Sequence, residues 1–523
     1  MFYGKSDVIK KYIPYCKGKR SEIQKIFLKE KLIMKKLKSV LVTVFAALCL
    51  FGCKNEVSPT TEDIKTREIS FEDTESVIKD EMLFYTVAEN YKLAEEEVYN
   101  DLTSFLALKI ADSDENTDYG RALSVVKNQY EITKIKGFKK DLSNNNIFAR
   151  GVESNDEVNF SIYDISNPVD GTKGVAVTSD DERVGSLLCI LDDIDCTDTE
   201  EDPVLEIFME HLDCYVENVS NEIETITEKD LELFKEKYNI TDEEIAAAKL
   251  EYENSLESRK FFGYDSWSSW SIIDVNLNNF SAKTKWNQNF PYNDAIKAME
   301  GDYYYTGCTT TAFAQIMAYH EYPSKYTRSD LTTLKTKWKL ASNWDGVYDW
   351  KAMTSKPSIN NLSKNGRVCV GALMYNISKE INAKYSLEGT KASIANGLSF
   401  IGKNGYSYSN KQSYSFSAIT SSLRKDCPVI IEGYKDDNRG HAWVIDGSLE
   451  LQRTRNYYAF WIPFKCKENQ DYVHCNYGWS GNHDEGTSYS YRGAGYYKSG
   501  VFVAGNNNYK NFISIYTNIR PNR

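Results

Sequence analysis

A chain of 523 residues that is 41% hydrophobic, 26% charged and 13% aromatic has room for two folded units and a targeting segment, and its composition excludes a disordered or collagen-like polymer. The net charge of -12 is unevenly spread: up to Phe262 there are 33 basic and 54 acidic residues, and from Gly263 onward 30 and 21. An acidic first part therefore faces a basic second part of complementary sign, and nucleic acid is an unsuitable partner for the whole chain.

Along the chain, Met34 opens a basic start (Lys35, Lys36, Lys38), followed by an apolar run from Val40 to Phe51 and then Gly52 and Cys53. The run is short for a bilayer span and suits a signal-peptide core. Leu50-Phe51-Gly52-Cys53 resembles a bacterial lipobox, which makes Cys53 the expected lipidation site and residues 34–53 a lipoprotein signal peptide. Residues 1–33 lie upstream of the expected true start at Met34, and residues 54–70 read as a polar tether.

From Phe71 to Leu108, apolar residues at helical spacing (Val77, Met82, Val87, Leu93, Val98, Leu102, Phe105) predict one or two amphipathic helices. VNFSIYDIS alternates as a strand does, and GVAVTSDDERVGSLLCILDD places two apolar runs around a polar turn. DPVLEIFMEHLDCYVENV and the acidic stretch from Thr227 to Glu257 return to helical spacing, which completes an α+β unit over 71–262. After Gly263 the texture is aromatic and less charged. TTTAFAQIMAYH predicts a helix ended by Pro323, and GRVCVGALMYNISKEI a second. PVIIEGY, HAWVIDG, YYAFWIPF, DYVHCNY, GYYKSGVFV and NFISIYT then read as strands. A helical half followed by a β half over 263–523 describes a two-lobed enzyme with a cleft between the lobes.

The chemistry concentrates in this second part. Cys308 directly follows Gly307 at a helix start, where free N-H groups and the helix dipole stabilise a thiolate. Of five histidines, His211 lies in the acidic unit and His320 ends the helix that Cys308 begins, about three turns away. His441, at the mouth of the strand GHAWVIDG, is the candidate base. Asn476 is a candidate to orient that histidine, Trp479 to shield it from water, and the Cys308 N-H and the Gln288 amide to stabilise an oxyanion. Eleven cysteines contain no CxxC pair. His474, Cys475 and His483 form no recognisable zinc-ligand spacing, so neither a metal nor a cofactor is expected.

Four blocks in order, KWNQNFPYN, GCTTTAFAQIMAYHEYP, GHAWVIDG and HCNYGWSGNHDEG, resemble the streptopain family of papain-like cysteine peptidases. The resemblance implies Cys308 as nucleophile, His441 as base, Gln288 at the oxyanion hole, and Asn476 and Trp479 supporting the histidine. It implies an α+β, two-lobed papain-like fold, with a helical lobe and an antiparallel β lobe. Upstream, IYDISNPVDGTKGVAVTSDDERVGSLLCILDD is similar to the family's inhibitory propeptide, which assigns 71–262 to a propeptide and 263–523 to the peptidase domain. Where the family has Asn-Trp-Gly-Trp-Gly-Gly, this chain has Asn476, Tyr477, Gly478, Trp479, Ser480 and Gly481, and the polar insertion GTSYSYRGAG follows.

The expectation is an envelope-anchored zymogen that acts on protein or peptide substrates, with its own propeptide as intramolecular inhibitor and membrane contact through the lipid anchor alone. The maturation cut is expected near Ser258 to Ser266, and release from the envelope after that cut stays open. So do two alternatives, an impaired relative that binds peptides at a surface and a Cys-His acyl transferase.

Overall fold

The computed structural model describes residues 67–70, 84, 91–113, 117–142, 157–192, 194, 203–250, 268, 270–277, 284–356, 359–387, 389–435, 440–479, 494–502 and 511–522. All lie in the second of the two units into which the chain divides, Ile64–Arg523. The signal peptide with Cys53, residues 54–66 of the tether, the 262/263 boundary with its expected cut, and residues 480–493, with His483 and most of the polar insertion, fall outside the described residues, whereas the last four residues assigned to the tether, Arg67–Ser70, form a strand paired with the peptidase half rather than a tether.

Strand β1 is Arg67–Ser70. Helices α1 (Glu95–Ser113) and α2 (Tyr119–Gln129) lead into β2 (Glu131–Asp141), β3 (Glu157–Asn167), β4 (Thr172–Ser179) and β5 (Leu187–Asp192). Helices α3 (Pro203–Glu224) and α4 (Glu228–Lys237) and strand β6 (Ser271–Leu277) follow. A helical stretch comes next: α5 (Asp294–Glu300), α6 (Cys308–His320), α7 (Leu331–Lys337), α8 (Trp350–Met353), α9 (Lys364–Glu380), α10 (Ile394–Lys403) and α11 (Phe416–Leu423), with β7 (Tyr406–Ser407) and β8 (Gln412–Ser413) near its end. The chain closes with β9 (Val429–Lys435), β10 (Gly440–Ala459), β11 (Ile462–Asn476), β12 (Ala494–Lys498), β13 (Asn511–Tyr516) and β14 (Arg520–Pro521).

The main sheet runs β2-β3-β4-β5-β12-β11-β10-β9-β13-β8, with β6 added to β10 and β1 to β11. Its pairs are antiparallel except β1 with β11. The α+β class expected from the sequence is the one observed. The sheet crosses from the acidic unit into the basic one where β5 pairs with β12 (Ile190 with Tyr496, Cys189 with Tyr497).

Local signals account for several boundaries. Asp118 caps α2 by accepting from the Arg121 N-H at 2.9 Å, and Thr227 and Asp230 form a reciprocal capping box on α4. Strand alternation sorts side chains between cores: on β3, Phe160 and Ile162 pack with Phe208 and Leu212 of α3, whereas Tyr163 and Ile165 pack with Leu102 and Phe105 of α1. The same rule works on β10, where Trp443 and Ile445 join the α3 core and Ala442 and Val444 face the helical core of Phe313, Ile316 and Leu373.

Two strand expectations need correction. YYAFWIPF is not one strand, because Phe460 and Trp461 have φ of 51° and 61° and form the turn between β10 and β11. The apolar run reflects packing of both rings against the α3 and α4 core rather than extended backbone. In GYYKSGVFV the strand stops at Lys498, and Ser499–Phe502 is a 3-10 turn.

A buried charge cluster links the two halves. Arg453 of β10 meets Asp101 of α1 at 2.8 Å, Glu182 at 2.6 Å and Glu468 of β11 at 2.6 Å, and Arg455 meets Glu182 at 2.5 Å. All five residues are buried. His474 bridges Asp446 at 2.6 Å and Asp192 at 3.9 Å. Burial alone would push the His474 pKa down, but the charges of Asp446 and Asp192 outweigh it and hold it at about 9. In the pairs that span the two halves here, the cation comes from the second half and the anion from the first.

Candidate active site

Helix α6 begins with Cys308 itself, and Gly307 before it has φ 91° and ψ 143°. That region is open essentially to glycine. A Cβ there would also lie 3.1 Å from both the Cγ2 and the carbonyl oxygen of Thr390. Gly307 thus sets the direction from which Cys308 enters the helix. The other end of α6 turns at Glu321, φ 52°, just before Tyr322 and Pro323.

The backbone of Ala442, the residue after His441, and Thr309 lie close enough to the Cys308 thiol to favour its thiolate form. This places the helix start at the mouth of β10. Burial raises the Cys308 pKa above its ordinary value, and the nearby groups of Ala442 and Thr309 offset the rise only in part.

His441 is the second residue of β10 and pairs with Gly433 of β9. Its ring lies among three aromatic rings: Trp479 with centroids 4.1 Å apart, Trp443 at 5.9 Å and Tyr477 at 5.9 Å, all stacked. Trp443 in turn meets His211 of α3 at 6.2 Å. His441 Nε2 lies 3.1 Å from the carbonyl oxygen of Tyr477. A carbonyl can only accept, so Nε2 carries the proton and Nδ1 of the neutral ring keeps its lone pair. Burial pushes the His441 pKa down to about 4, against the smaller opposing effect of the Tyr477 hydrogen bond.

Asn476, expected to orient the histidine through its side-chain oxygen, ends β11 and is fully buried. That oxygen accepts from Gln315 Nε2 at 3.0 Å and from the Gly478 N-H at 3.1 Å, while Nδ2 donates to the Thr284 carbonyl at 3.1 Å. Sequence reasoning did not single out the Tyr477 carbonyl, because a main-chain acceptor leaves no mark on residue type. It did name Tyr477, whose buried ring stacks on Trp443 with centroids 4.9 Å apart.

Gln288 is held next to the Cys308 segment by its own backbone, since its carbonyl accepts from the Thr306 N-H at 2.9 Å. Its side-chain Nε2 is buried and has no hydrogen-bond partner. A buried amide donor left unpaired is costly unless something arrives to use it. Of the residues weighed as metal ligands, His474 is engaged with Asp446 and Cys475 is buried in the α3 core on the opposite face of β11. His483 is outside the described residues.

Comparison with known proteins bears on this arrangement. Residues 286–486, which include Gln288, Cys308, His441 and Asn476, match the Peptidase C10 family. The chain is a cysteine-type peptidase. Two solved structures are similar to this peptidase. One is a fragment of Prevotella intermedia prointerpain A carrying a cysteine-to-alanine substitution: 17% identity, 74% of this chain and 100% of that one covered, TM-score 0.37. The other is the active wild-type interpain A cysteine protease of Prevotella intermedia: 22% identity, 47% and 93% covered, TM-score 0.29. No curated protein matches the chain.

Proposed function

We propose that the protein is an endopeptidase made as a zymogen, with Cys308 as nucleophile and His441 as its base. The observation that carries this is the closeness of the Cys308 thiol to the backbone of Ala442, the residue after His441 at the mouth of β10, together with the buried, unpaired Gln288 amide. Nδ1 of His441 takes the thiol proton, and the thiolate attacks the scissile carbonyl. The resulting oxyanion accepts from the Cys308 N-H and from the unpaired Gln288 Nε2. The imidazolium then gives its proton to the leaving amine, which leaves a thioester. Water, deprotonated by the same imidazole, hydrolyses that thioester and restores the thiol. Asn476 and Trp479 support the histidine, the former through the turn it anchors and the latter by stacking.

Cys308→Ala should lower peptide hydrolysis by several powers of ten, as loss of a nucleophile does. Full activity in that variant would remove Cys308 from the mechanism. Hydrolysis without amine transfer separates the peptidase from a Cys-His acyl transferase, and loss of the response to a thiol-reactive peptide probe marks an impaired relative.

In this proposal residues 71–262 act as an inhibitory propeptide on the 263–523 peptidase domain. Cys53 is lipidated after signal removal and anchors the precursor at the bacterial cell envelope. A fatty-acid analogue supplied to expressing cells should label the wild type and not Cys53→Ala. Equal labelling of both would place the lipid elsewhere or nowhere.

A further inference from the structure

We infer that Gln315 is a positioning residue: it clamps the turn that holds His441 onto the helix that carries Cys308. The inference rests on the Cys308 and His441 reading above and extends it to a residue that no motif argument selected. Gln315 lies seven residues after Cys308 on α6, two turns along the same face, and is fully buried. Its Nε2 donates to the Thr284 carbonyl at 2.8 Å and to the Asn476 side-chain oxygen at 3.0 Å. Asn476 Nδ2 donates to the same Thr284 carbonyl at 3.1 Å, so the two amides and one carbonyl close a ring.

The turn that follows is tied down at alternate residues. The Gly478 N-H donates to the Asn476 oxygen at 3.1 Å. Gly478 has φ 69°, and a Cβ there would lie 2.8 Å from Thr311 Cγ2, one turn before Gln315 on α6. The residues between and after these anchors act on the histidine. The Tyr477 carbonyl accepts from His441 Nε2, and Trp479 stacks on the ring. Asn476 and Gly478 therefore face α6, while Tyr477 and Trp479 hold His441.

The amide has one workable orientation. Turned over, it would set its oxygen against the Thr284 carbonyl and the Asn476 oxygen. In the orientation observed, Gln315 Oε1 is buried without a donor. A methionine would fill the same space without that unpaired acceptor. Stability alone therefore gives no reason for an amide here, whereas a fixed hydrogen bond to Asn476 does.

The test compares the enzyme matured from the full-length chain with its Gln315→Met and Gln315→Glu variants prepared in the same way, using a fluorogenic peptide and active-site titration of Cys308. Gln315→Met should fold and titrate normally and lose about 10- to 100-fold in kcat with KM little changed, the scale of loss that a small misplacement of a catalytic group causes. Gln315→Glu has a donor only while its carboxyl is protonated, so its activity should recover relative to wild type as pH falls. A folded, titratable Gln315→Met with wild-type kcat overturns the inference, as does a loss shared equally between kcat and KM. Where Gln315→Met does not fold, an unchanged pH profile in Gln315→Glu overturns it. Failure of the underlying mechanism has a different signature, an active Cys308→Ala.

Discussion

Cys308 and His441 are each shifted toward their uncharged forms. Burial holds the thiol above its ordinary range and the imidazole at about 4, so at neutral pH this arrangement contains a thiol and a neutral ring rather than an ion pair. A thiol held above its ordinary range is almost wholly un-ionised at neutral pH. The row Trp479, His441, Tyr477 and Trp443, backed by His211 of α3, supplies the apolar shell. Iodoacetamide modification of Cys308 in the intact precursor, followed by peptide mapping, should therefore rise about tenfold per pH unit above pH 7 and continue to rise past pH 9. A rate already level at pH 7 would mean that the ion pair is present before maturation. Of the residues expected from the sequence, Tyr477 and Trp479 lie on the His441 ring, and Cys308 lies close to the backbone beside it. The Tyr477 carbonyl and Gln315 were not legible, the first because it is main chain and the second because a buried glutamine at helical spacing looks like any other.

Strand β10 carries two tasks on one element. Its first residues present His441, and its far end sends Arg453 and Arg455 into the buried cluster with Asp101, Glu182 and Glu468. Glu182 is held at about 7: burial raises it, Glu468 and Asp101 add to the rise, and Arg453 and Arg455 oppose it. Between about pH 4.5 and 7 the folded chain thus keeps a proton that the unfolded chain has released. Stability from this group falls as pH rises across that window and is level above it. Glu182→Gln should flatten that part of the stability profile, measured by urea midpoints from pH 4.5 to 8. An unchanged slope would show that another group sets it. The helices and strands near this cluster were mostly visible as periodicity, but the long β10-β11 hairpin was not. Polar residues such as Gln452, Arg453 and Thr454 break the apolar pattern, and their pairing with Asn469, Glu468 and Lys467 is what keeps the strand extended.

At the scale of the molecule, the acidic and basic halves share one sheet and one set of ion pairs. From Lys54 to Phe262 there are 21 basic and 51 acidic residues, against 30 and 21 after Gly263. Such a pair should associate at a rate that falls with salt, because exposed charges are screened over about 8 Å at physiological ionic strength. A separately expressed 71–262 segment added to the matured peptidase should suppress peptide hydrolysis, and bind more slowly at high salt. No suppression at any salt would give this half of the chain another task. The β5-β12 pairing and the buried arginines are less exposed to salt, so suppression should weaken rather than vanish.

The sequence by itself determined the order of most elements, the change of texture near residue 263 and which side chains are candidates for the chemistry. These follow from periodicity, charge and residue type, which are local or additive properties. Only the tertiary structure decided which partner each group meets. His441 gives its Nε2 proton to a carbonyl from the turn after β11. The Asn476 oxygen goes to Gln315 of the helix that Cys308 begins. β12 takes a strand of the acidic half as its neighbour. Those choices join residues tens to hundreds of positions apart through backbone groups and buried charges, and their energies exist only once water has been excluded between them.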